Sequence, residues 1–249
     1  RNPAYRIYQT GRFSSQVTIW MYRVTVGWIV WDYTHSSTWL GIFGFLDQAC
    51  AFIASPLAGA MADRMNAVKF MRITQALMFL QALGLAALMT FDLLNLWTLA
   101  IFVVIYGIGN GAQQPVNQTI LPAIVPKEDL TTVYGLNSMG FNLSRFIGPM
   151  IAGYVISKFG TGPAVSGNVI GAAIYSICLA MIKPVEALQK KKRAASSGMV
   201  EEIREGFAYA CRHPGIAPMM AVLTVLSLFP FTINLMLPSL ADGVFQPVL

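Results

Sequence analysis

Charge is scarce in this chain. Asp, Glu, Lys and Arg make up 11% of its 249 residues, where a soluble domain carries about 25%. A water-soluble shell cannot be built from so few. Cysteine is scarcer still: Cys50, Cys178 and Cys211 are odd in number and widely spaced, which argues against a disulfide framework or a metal site. Cys50 and Cys178 read as small apolar packing residues. The two histidines, His35 and His213, have no metal-ligand company. Gly-rich phosphate loops, nucleophile elbows and paired catalytic acids are missing, so the chain is read as no enzyme, with no cofactor and no metal. Strand-like alternation of apolar and polar residues is missing too, which excludes a transmembrane barrel.

Long apolar runs are what the sequence does have. Hydrophobic residues are 55% of the chain and the mean hydropathy is +0.58. A bilayer-spanning helix needs about 20 apolar residues. Seven such stretches are expected, near 13–33, 39–60, 70–91, 95–117, 133–157, 164–182 and 216–240. Turn or charge signals separate them at Asp32–Ser37, Asp63–Lys69, Asp92–Asn95, Pro122–Asp129 and Gly160–Pro163, and the long break is 183–215. The fold class is therefore an all-α membrane protein.

The net charge of +6 is no nucleic-acid footprint, because the bases cluster in short segments between helices. Lys and Arg in such segments mark the cytoplasmic side. With the N-terminus in the cytoplasm, 14 bases lie inside and Lys158 alone outside, while Arg23 and Arg145 fall within spans. Trp28, Trp31, Tyr33 and Trp39 resemble an interfacial aromatic belt. The expected location is the cell inner (plasma) membrane, with the lipid bilayer as solvent.

Within 183–215, Lys190-Lys191-Lys192-Arg193 followed by Ala-Ala-Ser-Ser-Gly reads as a flexible basic linker. Orientation and solubility are its simpler role; attraction to anionic lipid is the alternative. Val200, Ile203, Phe207 and Cys211 then recur at helical spacing opposite Glu201, Glu202, Arg204 and Glu205, as in an amphipathic surface helix. An odd number of spans leaves the C-terminus outside. With no initial Met and an end soon after the seventh span, both ends are expected to be truncated.

The loop Gly59-Ala-Met-Ala-Asp63-Arg64-Met-Asn66-Ala-Val-Lys69 resembles the signature loop of the major facilitator superfamily, G-x-L-A-D-R-x-G-R-R/K. Gly59 permits close helix approach, and Asp63 can cap a helix or pair with a base. Asn66 replaces the second Gly; Asn tolerates positive φ, so the turn is expected to survive. Ala67-Val68 replace bases. In the fifth span, Gly135, Ser144, Gly148-Pro149 and Ala152-Gly153 resemble the superfamily's antiporter signature, G-x8-G-x3-G-P-x2-G-G, with Ser and Ala for two glycines. Small residues permit close packing and Pro149 a bend; generic packing is the plainer reading.

Leu121–Leu130, Leu136-Asn-Ser138, Phe141–Pro149, Glu205–Pro214 and Leu237–Asp242 resemble the drug and siderophore exporter branch, the branch of the enterobactin exporter. The resemblance implies twelve helices in two six-helix halves. Residues 1–183 would be the N-terminal half, 184–215 a cytoplasmic linker, and 216–249 the first helix of a truncated C-terminal half. It also implies export rather than uptake. One feature of many exporters, an Arg within L-x-x-x-R in span four, is absent from Ile101–Gly111.

Charged groups inside spans are costly, about 2.5–3.5 kcal/mol on insertion scales, and face partners or cavities. Asp47 shares a face with Gly44, Ala51, Ala54 and Ala58. Burial disfavours a carboxylate's charged form, which makes Asp47 a candidate proton carrier; a structural Asp satisfied by a base is the alternative. Arg23 lies halfway along the neighbouring span and is its expected partner. Arg145 shares a face with Ser138 and Asn142; it can meet an anionic substrate or hold helices together. Gly107, Asn110, Gly111, Gln114, Asn117 and Gln118 form one stripe and must line water or helices. Asn117 and Gln118 best fit a helix end emerging into the cytoplasm.

The expected function is secondary active export of a small organic molecule by alternating access, coupled to protons, with the missing C-terminal half as partner. Arg23, Asp47, Asn110, Gln114, Asn142 and Arg145 are the candidates for cavity or coupling. Gly59, Asp63 and Arg64 would form the cytoplasmic gate, and Gly135, Ser144, Gly148, Pro149 and Gly153 the helix-bend motif. An uptake symporter of the same fold and a non-transporting scaffold or receptor are the rivals.

Overall fold

The computed structural model describes residues 3–182 and 208–222. Six long helices follow one another: α1 Pro3–Thr34, α2 Ser37–Arg64, α3 Ala67–Thr90, α4 Leu96–Ile124, α5 Leu130–Phe159 and α6 Thr161–Met181. A single 3-10 turn, Lys127–Asp129, precedes α5. Residues 208–212 and 216–222 are helical. The basic linker and most of the amphipathic helix and seventh span lie outside the described residues.

The connections are short, and each helix start has a local cause. Asn66 caps α3 by accepting from the Val68 and Lys69 amides at 3.0 and 3.3 Å. Its φ is −69°, so the expected positive-φ turn is not what Asn supplies there. It serves as an N-cap, the role its short side-chain oxygen suits. Asn95 and Thr98 form a reciprocal capping box on α4, leaving two orphan donors satisfied. Ser37–Ala62, Ala67–Thr90, Leu96–Pro122 and Thr161–Met181 are long and apolar enough to cross a membrane. The helices α1 and α5 are longer, and they carry Arg23 and Arg145. This is a multi-pass membrane protein.

α1 is the hub: it packs on α5 and α6, and touches α2 and α4. α2 lies on α4, and α3 on α4 and α6. The contacts run through small residues. A Cβ added at Gly107 would sit 2.5 Å from the Asp47 carbonyl, and one at Gly111 would strike the Ala51 backbone. Without a hydrophobic drive between helices in lipid, such close backbone approach supplies the attraction.

Two apolar layers fill the bundle. Tyr8, Met71, Val116, Ile120, Tyr175 and Leu179 belong to the one nearer the start of α1. Tyr22, Val26, Leu40, Leu85, Leu99 and Tyr106 belong to the other. A polar layer divides them.

Candidate functional site

The dividing layer surrounds a cavity of ≈ 20 Å³ lined by Ser15, Thr18, Gln75, Tyr106, Gln113 and Asn168 among others. A water needs about 10–15 Å³, so the cavity suits one water and no organic molecule. Gln113 donates to Gln75 at 2.9 Å, and Gln75 donates to the Ala172 carbonyl at 3.1 Å. These bonds tie α4, α3 and α6 together. Sequence reasoning missed Gln75, Gln113 and Asn168, since none lies on the polar stripe of Gly107, Asn110, Gly111, Gln114, Asn117 and Gln118. Their chain separations of 38 and 97 residues left no local signal.

The charged site lies on α1, where α2 and α5 flank it. Arg23 Nη2 and Asp47 Oδ2 are 3.6 Å apart, the expected pair. Asp47 is only 7% exposed. Its Oδ1 has no hydrogen-bond partner among the described residues. Arg23 also reaches Gln48 Oε1 at 3.4 Å and lies 5.1 Å from the centre of the Trp20 ring. Arg145 of α5 lies 5.5 Å from the centre of that same ring, and the edge of Phe141 meets it at 5.9 Å. The structure thus brings Arg23, Asp47 and Arg145 to one place, joined through Trp20, a residue that sequence reasoning assigned no role. Beside them Tyr22 and Tyr106 stack at 4.0 Å.

The other candidates are dispersed. Asn142 is exposed and donates to the Ser138 carbonyl of its own helix at 2.9 Å. Asn110 is half-buried and Gln114 exposed. Asn117 does not emerge at a helix end. It is 8% exposed and accepts from Tyr8 Oη at 2.9 Å and Tyr175 Oη at 3.5 Å. The reason is that α1 starts ten residues before the expected 13, at Pro3, and carries Tyr8 across it. Arg12, in the same extension, donates to Asn137 of α5 at 2.9 Å and to Tyr8 at 3.2 Å. One polar cluster so joins α1, α4, α5 and α6.

Of the α5 motif, Ser144 and Gly148 are buried, along with Gly140 and Ala152. Gly148 lies against the backbone of α1 at Val17 and Met21. A Cβ added at Gly135 or Gly153 would meet nothing within 4 Å among the described residues, so the contact seam runs through Gly140, Ser144, Gly148 and Ala152 instead. Pro149 is inside α5. A Cβ added at Gly59 would lie in ordinary contact with Pro115 at 3.8 Å. Asp63 and Arg64 close α2; their side chains lie outside the described residues.

The family described as transmembrane secretion effector matches residues 1–246. Macrolide efflux protein A of Streptococcus pyogenes is 25% identical over 206 residues, 82% of this chain and 50% of that protein. The staphyloferrin A transporter of Staphylococcus aureus is 29% identical over 141 residues, 56% of this chain and 36% of that one. An enterobactin exporter of Shigella boydii is 25% identical over 257 residues, 97% of this chain and 57% of that one. The chain spans about half the length of such relatives. The match across nearly all its residues, on a bundle of membrane-length helices, makes the chain a member of the transmembrane secretion effector family of the major facilitator superfamily.

Proposed function

We propose that the intact protein exports a small organic molecule, drug-like or siderophore-like, by alternating access with proton antiport. The carrying observation is the pair of half-buried Arg23 with buried Asp47. A bidentate, hydrogen-bonded pair would have contacts near 2.7–2.9 Å; this one is at 3.6 Å, and Asp47 Oδ1 is unpartnered among the described residues. A carboxylate held so loosely can take up a proton without breaking a strong bond. The efflux and export named in the relatives give the direction. The basic segments place the N-terminus in the cytoplasm of the inner membrane, and substrate binds between this half and the second one.

Proton movement driven by siderophores and macrolides in proteoliposomes of the full-length protein is the test, with Asp47→Asn beside the native protein. Export coupled through Asp47 requires exchange in the native protein and its loss in a folded Asp47→Asn. Equal exchange in both removes Asp47 from the coupling path. Inward-driven accumulation would establish a symporter, and no transport of any compound a scaffold.

A further inference from the structure

Among the described residues, the Trp20 site carries more positive charge than negative. Two guanidiniums, Arg23 and Arg145, lie within 5.1 and 5.5 Å of one indole centre. One carboxylate, Asp47, is there to meet them, and it faces Arg23. Arg145 has no carboxylate within 4 Å among the described residues. An indole face attracts a cation, but it does not neutralise one. Two like charges on one ring repel each other.

The position of Arg145 indicates how the imbalance is met. It stands on the exposed side of α5, with its guanidinium turned to Trp20 and not out along the helix to an interface. Exposed Phe146 is its chain neighbour, and Phe141 meets Trp20 edge-on. Arg145 thus presents a planar, permanently charged fork beside aromatic surface. That geometry suits a two-oxygen anion on an organic body.

We infer that Arg145, set beside Arg23 on Trp20, receives a carboxylate of the transported molecule. This deepens the export reading and rests on it. The anion balances the second guanidinium.

The test uses two probes that differ only in charge, dansylglycine and its uncharged amide, dansylglycinamide. Binding to the full-length protein in micelles is read by tryptophan-to-dansyl energy transfer. A hydrogen-bonded ion pair of this kind implies about tenfold or greater preference for the acid. Arg145→Gln abolishes that preference, and Arg145→Lys, which keeps charge without the fork, retains part of it. A measurement on the native protein alone stands beside the variants: benzoate displaces dansylglycine and benzamide does not. Equal binding of the two probes, binding of neither at millimolar concentration, or a preference unchanged in Arg145→Gln overturns the inference. The last result would assign the counter-charge of Arg145 to an acidic side chain elsewhere in the protein. These outcomes are separate from the export reading, which fails if the native protein transports none of the siderophores and macrolides or accumulates them inward.

Discussion

Adding one methyl group to α5 tests the seam that holds the site together. In Gly148→Ala the new Cβ would lie 2.5 Å from Trp20 Cβ, 2.7 Å from the Val17 carbonyl oxygen and 3.2 Å from the Met21 amide nitrogen. Two of the three atoms are backbone and cannot rotate aside. Ordinary carbon contacts begin near ~3.5 Å, so α1 and α5 must separate by roughly 1 Å. Overpacking of this kind costs about 1–3 kcal/mol. At about 2–4 °C per kcal/mol for a chain of this size, thermal unfolding in detergent should fall by several degrees. Gly135→Ala and Gly153→Ala belong to the same motif, but their Cβ atoms meet nothing within 4 Å. Both should unfold at the native temperature. Fluorescence-detected size-exclusion after heating resolves the difference. A Gly148→Ala protein as stable as native, or a Gly153→Ala protein equally weakened, would refute the packing argument.

Three further changes probe the polar contacts. Asn117→Leu leaves the buried Tyr8 and Tyr175 hydroxyls without their shared acceptor and should destabilise by about 1–3 kcal/mol, read as a lower unfolding temperature. Asn66→Ala removes the α3 cap and should cost about 1 kcal/mol, whereas Asn66→Asp, which caps equally well, should be nearly neutral; equal loss in both would deny the capping role. Arg72 donates to the carbonyls of Leu179, Ala180 and Ile182 at 3.0, 3.2 and 2.6 Å. Arg72→Met should therefore speed hydrogen exchange in the last turn of α6 while leaving α2 unchanged.

Much of the bundle was legible in the sequence because bilayer physics acts on every residue of a span. Apolar runs of fixed length and charged breaks between them fix helices to within a few residues. The exceptions are α4, which runs on from 117 to Ile124, and α1, whose apolar span begins at 13 but whose helix starts at Pro3. A helix can continue past its apolar part, and α1 does so to carry Tyr8 and Arg12 into contact with α4 and α5. The pair Arg23–Asp47 was legible because it joined the two opposite charges at matching depth in adjacent spans. Arg145 was visible as a charge, but its neighbour was not. Nothing in a tryptophan's sequence context says that two arginines from separate helices converge on it. The α4 stripe gave the right face and the wrong surroundings. Periodicity puts Gly107, Gly111 and Asn117 together, but whether the face meets water, α2 or a tyrosine depends on the other helices.

The notches in α1's neighbours have a mechanical consequence. Trp20 Cβ and the Val17 backbone fill the space a side chain would occupy at Gly148 of α5, and Thr18 fills that at Gly171 of α6. All three residues of α1 lie within one turn, so the helix is gripped from two sides at a single height. Sliding along its axis would drive it out of both notches at once. Tilting about that height would move the two ends of the helix in opposite directions. The grip acts as a fulcrum, with the Tyr8–Asn117 latch on one arm and the stacked Tyr22–Tyr106 pair near the start of the other.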